Sequence, residues 1–268
     1  MKIALVAVAA LMPLLVALLV SPGARAFARG TGSLQQTLSN VGVGTLFLLS
    51  QAALRGALIG VYATASDWVP WKLSDSVATF ALAFVLLDLV YYVQHRLEHR
   101  VPVLWAIHAV HHQSRDYNLS VSLRVGVLAA IPTAFFHASL ALAGVSTTTY
   151  ALVAALHAAL LFGLHARTRV TFGPGRLFNA PVFHRVHHGA EDAFIDRNFG
   201  GVLLVFDRLG GTFAPYADEP TFGVAGEPSP LAPLTANLAP WSRLAADVRA
   251  APSTKAKLRC LFARRSAA

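Results

Sequence analysis

Cysteine and charged residues are both scarce in this 268-residue chain. The single cysteine, Cys260, excludes an intramolecular disulfide and a cysteine-based zinc or iron–sulfur site, so any metal ion must be held by His, Asp or Glu. Only 13% of the residues are charged, against about 25% in soluble domains. Because 55% of the residues are hydrophobic, the composition predicts an integral membrane protein.

The net charge of +9 is not arranged as a nucleic-acid-binding surface. Arg and Lys are concentrated around the histidine-rich segments and in the C-terminal third, without aromatic residues interleaved on a basic face, so we expect no nucleic-acid partner. Basic loops favour the cytoplasmic side of a membrane. The high Ala and Arg content is typical of bacterial proteins, which predicts the inner membrane, with the histidine clusters in the cytoplasm.

Five apolar segments are candidates for membrane helices: 3–20, 41–65, 76–93, 123–145 and 147–164. The first resembles a secretory signal peptide ending in "ARA", but the positive-inside rule favours a retained span. Arg55 lies inside the second segment and indicates a kink, a re-entrant turn or a snorkelling side chain. The last two segments are predicted to form a helical hairpin. We predict an all-α integral membrane protein with about four transmembrane helices and a cytosolic, histidine-rich helical cap.

Eight histidines fall into three clusters whose spacings of three and four residues place them on one helical face. Convergent imidazoles are what a metal ion requires, and eight exceed the needs of one ion, so two ions are expected. His165 closes the last apolar segment and is a further candidate ligand, whereas His137 and His157 are interpreted as structural. The clustered residues are His95 and His99; His108, His111 and His112; and His184, His187 and His188.

Other polar residues near the clusters are candidates for orienting the ligand imidazoles. Asp88 shares a helical stripe with Tyr92, His95 and His99, and it would either hold a ligand imidazole or bond locally to a neighbouring tyrosine. Glu98 is expected on another face, as an arginine partner. Four further residues could accept imidazole N–H bonds or serve as caps and turns. These are Asp116, Asn118, Asp196 and Asn198.

The motifs "DLVYYVQHRLEH", "LWAIHAVHHQS", "LHAR" and "HRVHHG", followed by "DRNFGG" and "FDRLGGTF", resemble the fatty acid hydroxylase/sterol desaturase superfamily of membrane histidine-box oxygenases. The resemblance covers about 88–213. It implies a four-helix membrane stem and a cytosolic cap whose histidines bind two metal ions, iron in the active enzyme. The ligands implied are His95, His99, His108, His111, His112, His165, His184, His187 and His188.

The resemblance also divides the chain. Residues 1–75 are expected to be N-terminal membrane segments and 76–216 a histidine-box catalytic domain. Residues 217–268, rich in Pro, Ala and Gly, are expected to be a loosely ordered basic tail. Some superfamily members carry another ligand one turn before the position of His165. Here that position is Leu161, and His157 lies two turns back, so the site is expected to lack one ligand.

The chemistry implied by the resemblance is activation of O2 and attack on an unactivated C–H bond of a lipid, giving a hydroxyl group or a double bond. No flavin, haem or ferredoxin motif is present, so electrons would come from an external ferredoxin, cytochrome or reductase. In isolated protein, zinc is the alternative occupant of the site. The alternatives are a zinc-dependent lipid hydrolase or isomerase, a non-catalytic metal- or lipid-binding membrane protein and, less well matched to eight histidines, a bis-imidazole haem protein.

Overall fold

The computed structural model describes residues 34–169, 171 and 177–265, and within these ranges every regular element is helical. The predicted first span, 3–20, lies outside the described residues. Nine α-helices and one short 3₁₀ helix, Leu119–Leu123, follow one another in the described part. The α-helices are α1 Leu34–Asp67, α2 Val77–Arg100, α3 Pro102–His112, α4 Ala130–Leu142, α5 Thr147–Leu164, α6 Pro181–His187, α7 Val205–Leu209, α8 Pro233–Ala250 and α9 Thr254–Phe262.

Three of these helices, α1, α2 and α5, are long and apolar enough to cross a membrane. The fourth apolar helix, α4, has only 13 residues. The all-helical, membrane-type architecture is therefore confirmed, while the described residues contain three candidate spans rather than four. α1 is continuous through Arg55, which is exposed, so the helix is not broken into a re-entrant turn at this arginine.

The helix predicted at 123–145 is shorter than expected, because its first residues belong to the end of the 3₁₀ helix and to a non-helical segment before Ala130. Asn118 caps the 3₁₀ helix by accepting a bond from Ser120 N. Arg124 follows, completely buried, and its guanidinium binds groups of α1, α3 and the C-terminal segment. These bonds hold the chain away from a helical path until Ala130, where α4 begins.

Two helix boundaries place the first two histidine clusters face to face. Ser76 caps α2 by accepting from Thr79 N. α2 runs to Arg100 and stops before Pro102, because a proline disfavours helical backbone at the preceding residue. Pro102 then occupies the first position of α3, which suits its fixed φ. The chain reverses there, and α3 packs back against α2.

The C-terminal segment is ordered, which corrects the expectation of a loose tail for the described residues up to 265. α8 packs on α3 and α1, and α9 packs on α8 and α3. Pro240 lies within α8, and the segment is rich in Pro, Ala and Gly and poor in long apolar runs, which is why the helices were not predicted. The division of the chain at 75 and 216 stays a prediction.

Candidate metal centre

Nine histidines converge in two adjacent groups, with the prospective ligand atoms of each group within 4.8 Å of one another. The five-histidine group consists of His95, His99, His108, His112 and His187. The four-histidine group consists of His111, His165, His184 and His188. All nine residues are those that the sequence singled out. The groups share a wall, since the rings of His112 and His188 stack with centroids 4.5 Å apart.

The Nε2 atoms point towards one another within each group. In the five-histidine group, His108 Nε2 lies 3.1 Å from His95 Nε2 and 3.0 Å from His112 Nε2. In the four-histidine group, His165 Nε2 lies 3.2 Å from His111 Nε2 and 3.1 Å from His184 Nε2. Two nitrogens bound at right angles to one metal, about 2.1 Å from it, are about 3.0 Å apart. The spacing therefore fits nitrogens that share an ion.

The opposite ring nitrogens show why a cation fits between the facing atoms. His111 Nδ1 donates to Arg124 O at 3.0 Å, and His165 Nδ1 to Leu161 O at 3.3 Å. A carbonyl only accepts, so in a neutral imidazole the proton sits on Nδ1 and the Nε2 atom carries a lone pair. Two lone pairs that face each other at 3.2 Å repel one another unless a cation lies between them. The donor set thus fits a metal ion.

Two other imidazoles are oriented by carbonyls of one loop. His95 Nδ1 lies 2.9 Å from Phe199 O, and His187 Nδ1 lies 2.8 Å from Arg197 O. Asp196 and Asn198 adopt left-handed backbone, at φ 59° and 53°, which Asp and Asn tolerate better than most residues. This local turn aims both carbonyls at the ligands, and the sequence carried no signal for it beyond the residues D-R-N.

Burial of the site favours the neutral form of its imidazoles. All nine histidines except His108 and His111 are buried, and these two are partly buried. Burial lowers the pKa of His108 to about 3, and burial together with the neighbouring His108 does the same for His111. The pKa values of His165 and the third cluster fall well below 6.5 for the same reasons. Neutral imidazoles are the form that binds metal. His187 Nε2 and His188 Nε2 also lack a hydrogen-bond partner in the described structure, as prospective ligand atoms would.

Glu98 binds a ligand histidine rather than the arginine that the sequence predicted. Its Oε2 accepts from His108 Nδ1 at 3.0 Å, while its Oε1 accepts from Gln94 Nε2 at 2.8 Å. The interpretation as an arginine partner was wrong because it considered α2 alone. The return of the chain at Pro102 places α3, and with it His108, against the Glu98 side of α2. A carboxylate in this position fixes the ring and raises its basicity as a ligand.

Asp88 supports the site indirectly. Its carboxylate accepts from His157 Nε2 at 2.7 Å and from the backbone amides of Val202 and Leu203, and it contacts none of the nine histidines. A Cβ at Gly201 would collide with Asp88 Oδ1, so glycine is required for this close approach. The expected contact between Asp88 and a ligand imidazole is absent, and Asp88 instead anchors the segment that follows Phe199.

Among the other residues predicted to orient ligand imidazoles, one lies beside a ligand and three make other contacts. Asp196 Oδ1 lies 3.6 Å from His99 Nδ1, beside the five-histidine group. The Tyr92 hydroxyl contacts Thr212 and Arg96. Asn118 is a helix cap. Asn198 binds the backbone of Phe183 and Ala214.

Asp207 was not predicted. It is fully buried and accepts from Phe199 N at 2.8 Å and Gly200 N at 2.7 Å, which fixes the carbonyl-bearing loop from its other side. Burial raises the pKa of this carboxyl group, and bonds from Thr212 and the two amides oppose that rise. An acidic residue within an otherwise apolar helical stretch was the signal that could have identified it.

An apolar helical stem that ends in two groups of convergent, neutral histidines defines a membrane histidine-box protein. The fatty acid hydroxylase family model matches residues 80–212. The chain is 35% identical over 193 residues to alkylglycerol monooxygenase of Danio rerio, covering 70% of this chain and 42% of that protein. It is 34% identical over 199 residues to the Homo sapiens protein of the same name, covering 72% and 44%.

A bacterial protein, ornithine lipid hydroxylase OlsE of Rhizobium tropici, is 29% identical over 172 residues, covering 59% of this chain and 48% of that protein. The chain therefore belongs to the fatty acid hydroxylase superfamily, as its motifs predicted. It spans less than half the length of these relatives. No match was found among solved structures.

Proposed function

We propose that this chain is a membrane-bound di-iron oxygenase that hydroxylates a C–H bond of a lipid with O2 and external electrons. The observation that carries the proposal is the pair of histidine groups, in which lone pairs such as those of His111 and His165 face each other at 3.2 Å. The relatives support it, because their names describe lipid monooxygenases and hydroxylases. Those names also favour hydroxylation over desaturation.

Iron is the expected metal because nitrogen-ligated iron with open positions, when bound, supplies the activation of O2 that C–H hydroxylation needs. The five-histidine and four-histidine groups would each hold one ion, and zinc can occupy the same nitrogen sites in isolated protein. The position of Leu161 lacks a ligand side chain, and His157 does not replace it, because its ring is bound to Asp88. The four-histidine group would therefore have one ligand nitrogen fewer than in superfamily members that carry a ligand at the position of Leu161.

The residues of the chain hold the ligands and exclude water. Glu98 and the carbonyls of Phe199, Arg124 and Arg197 keep a proton on Nδ1, so that Nε2 stays available for metal. The buried surroundings limit access of water, which protects reactive species from side reactions. The apolar helices α1, α2 and α5 provide the contact with the bilayer from which a lipid substrate would enter.

Electrons would come from a separate ferredoxin, cytochrome or reductase. The exposed face of α9 carries Lys255, Lys257 and Arg259. A basic surface of this kind attracts an acidic donor and speeds its encounter. We propose that this side of the protein faces the cytoplasm.

Zinc-dependent lipid hydrolysis or isomerisation is less well supported. Such a reaction needs a general base close to the metal, usually a glutamate. Glu98 is bound to His108 and Gln94, and Glu191 accepts a bond from Thr221 N. Both carboxylates that the sequence offered are thus committed to structural contacts.

The test is lipid analysis of cells supplied with 18O2, with and without the gene. We expect one labelled oxygen atom in a lipid product that depends on the gene, and its loss in the variants His111→Ala and His187→Ala. His137→Ala, a histidine outside both groups that bonds to Tyr150, is the matched control and should keep the product. A gene-dependent product that forms without O2 and reductant would refute the oxygenase and favour the hydrolase.

A further inference from the structure

α8, with the two residues before it, carries an apolar stripe that stays largely exposed. The members of this α8 stripe recur three or four residues apart, which places them on one face of the helix. They are Leu231, Leu234, Leu238, Trp241, Ala245 and Val248. Leu234 and Leu238 are 64% and 53% exposed, as much as Leu49 and Leu48 on the apolar helix α1, at 62% and 54%. The α8 stripe is therefore as uncovered as a side of α1 that would face lipid.

The other sides of α8 have different surroundings. The face that packs on α1 and α3 buries Ala236, Asn237, Pro240 and Leu244. On a helical wheel with about 100° between successive residues, the α8 stripe starts beside Asn237 and runs away from this buried face. Arg243 lies at the opposite edge of the buried face, where it forms an ion pair with a glutamate. Apolar and charged side chains thus occupy opposite flanks of α8.

Contacts with α1 define the depth of α8 in the membrane. A Cβ at Gly42 would lie 2.7 Å from Pro233 Cγ, so the first turn of α8 packs directly on α1. Gly42 is about 37 Å along α1 from Asp67, and about 35 Å along the membrane normal if α1 is tilted by about 20°. At the Asp67 end, the exposed Trp68 suits a membrane surface. Because the hydrocarbon core is about 30 Å thick and the whole bilayer about 40–45 Å, α8 begins in the opposite head-group layer.

The residue beside the α8 stripe reaches from this layer towards the hydrocarbon. Asn237 Oδ1 accepts from Val127 N at 2.9 Å, and Val127 O lies 2.8 Å from Ser50 Oγ. Ser50 is about 25 Å along α1 from Asp67, which is within the thickness of the hydrocarbon core. Asn237 therefore points towards the membrane, and the α8 stripe on the adjacent flank is turned to the same side.

The α8 stripe also adjoins a surface that faces lipid on α1. Val41 and Leu48 are exposed on α1, seven residues apart and hence on one face. Val41 precedes Gly42, and Leu234 follows Pro233, so the exposed faces of α1 and α8 approach each other where Gly42 and Pro233 pack together. A joined apolar surface of this kind is unfavourable in water and marks contact with a partner or a membrane.

We propose that α8 is an interfacial membrane helix, which lies in the head-group layer on the side of the histidine groups and inserts its apolar stripe among the acyl chains. Helices of this kind bury their apolar face about 5–10 Å into the boundary between head groups and acyl chains. The depth of α8, its exposed leucines and its separated flanks carry the proposal, which requires neither a metal ion nor a reaction. The C-terminal segment, which follows the end of the family match at residue 212, would thereby bind the bilayer directly.

The first experiment measures the surroundings of nitroxide labels on the full-length protein. Single cysteines replace Leu234 or Leu238 in a Cys260→Ser background, in nanodiscs of equimolar phosphatidylcholine and phosphatidylglycerol. Collision rates are measured with O2, which concentrates in acyl chains, and with a nickel chelate, which stays in water. Ala246→Cys is the matched control, because Ala246 is exposed on the same helix but outside the α8 stripe. Leu49→Cys is the reference for contact with lipid.

We expect the ratio of the O2 to the nickel collision rate at positions 234 and 238 to match that at 49 and to exceed that at 246 by roughly tenfold. Ratios at 234 and 238 as low as at 246 would show that the α8 stripe faces water and would overturn the proposal. Low collision rates with both reagents, together with dipolar broadening between labels, would show a second copy on the α8 stripe and would equally overturn it.

The second experiment tests whether the leucines hold α8 at the bilayer. Leu234→Asp/Leu238→Asp places two charges in the α8 stripe, whereas Thr235→Asp/Ser242→Asp places the same two charges at exposed positions outside it. We expect trypsin to cleave after the exposed Arg249 roughly tenfold faster in the first variant than in the second, because local opening of α8 exposes the peptide bond. Equal cleavage in nanodiscs would overturn the proposal.

The interfacial helix and the oxygenase fail in different ways. An 18O-labelled product from a protein whose positions 234 and 238 face water would leave the oxygenase intact and overturn the membrane contact of α8. Lipid contact at both positions without any labelled product would do the reverse.

Discussion

His157 Nε2 lies 2.7 Å from Asp88 Oδ1, and both residues are buried between the apolar helices α2 and α5. The same carboxylate also accepts from the amides of Val202 and Leu203, at 2.7 and 2.8 Å. These bonds tie the membrane stem to the loop whose Phe199 carbonyl orients His95. Asp88 therefore links the apolar helices to the loop that orients a histidine of the five-histidine group.

We expect Asp88→Ala to destabilise the protein by about 3 kcal/mol, because it leaves the buried His157 ring and the partly buried amides of Val202 and Leu203 without an acceptor. The measurement is denaturant or thermal unfolding in detergent, together with metal content. Asp192→Ala, at an exposed position, should change neither quantity. If Asp88→Ala unfolds at the same midpoint as this control, the anchoring role is wrong.

Metal stoichiometry should respond to each histidine group separately. His187→Ala removes a nitrogen from the five-histidine group and His111→Ala one from the four-histidine group, so each variant should lose about one of the two proposed ions. Elemental analysis of purified protein measures this, with His137→Ala, at a partly buried position outside both groups, as the control. Loss of both ions in either variant would instead indicate a single, strongly coupled site.

Glu98→Gln should weaken metal binding without abolishing it. The amide keeps the size of the side chain but removes the negative charge that orients and polarises His108. Loss of such a partner usually costs about 10–100-fold in metal affinity or activity. Competition with a chelator measures the affinity, and Glu191→Gln, whose carboxylate accepts from the Thr221 amide and not from an imidazole, serves as the control. An unchanged affinity would mean that the carboxylate contact has no influence on the metal.

The lone cysteine provides a test of membrane topology. Cys260 lies on α9, half-buried beside the basic residues proposed to face the cytoplasm. A membrane-impermeant maleimide should label it in inverted vesicles and leave it unlabelled in intact cells, with Cys260→Ser as the blank. Labelling in intact cells would reverse the proposed orientation.

The histidines were predictable because their spacing is a local property of a helix. Positions three and four apart share a face whatever surrounds the helix, and this identified eight of the nine converging residues. The ninth, His165, was a candidate because it closes the last apolar segment. The hydrogen-bond partners of Asp88 and Glu98 could not be predicted from the sequence, because they depend on how separate segments of the chain pack together. Asp88 binds His157, 69 residues away, and Glu98 reaches His108 only because the chain reverses at Pro102.

The C-terminal helices show a second limit of prediction. An Ala-rich segment with an internal proline lacks the uninterrupted run of helix-forming residues from which a helix is predicted. Its order comes from packing on α3 and α1. In the same way, Arg124 falls inside the helix predicted at 123–145, whereas in the folded protein it precedes the helix that begins at Ala130 and is completely buried.

Arg124 gives the last prediction. Its guanidinium donates to the carbonyls of Val110 and Pro230 and to the side chains of Ser39, Asn40 and Gln113. A planar group with five donors can satisfy this set, but a lysine ammonium has three donors at one point and cannot. Arg124→Lys should therefore leave several buried acceptors unpaired and destabilise the protein by about 3 kcal/mol.

The effect of Arg124→Lys should also reach the metal, because the backbone oxygen of Arg124 orients His111. Unfolding in detergent should show the loss of stability, and chelator competition should show weaker binding by the four-histidine group. Arg115→Lys, at an exposed position nine residues earlier, should leave both unchanged. A variant at position 124 that is as stable as this control, with unaltered metal binding, would show that the buried guanidinium does not support the site.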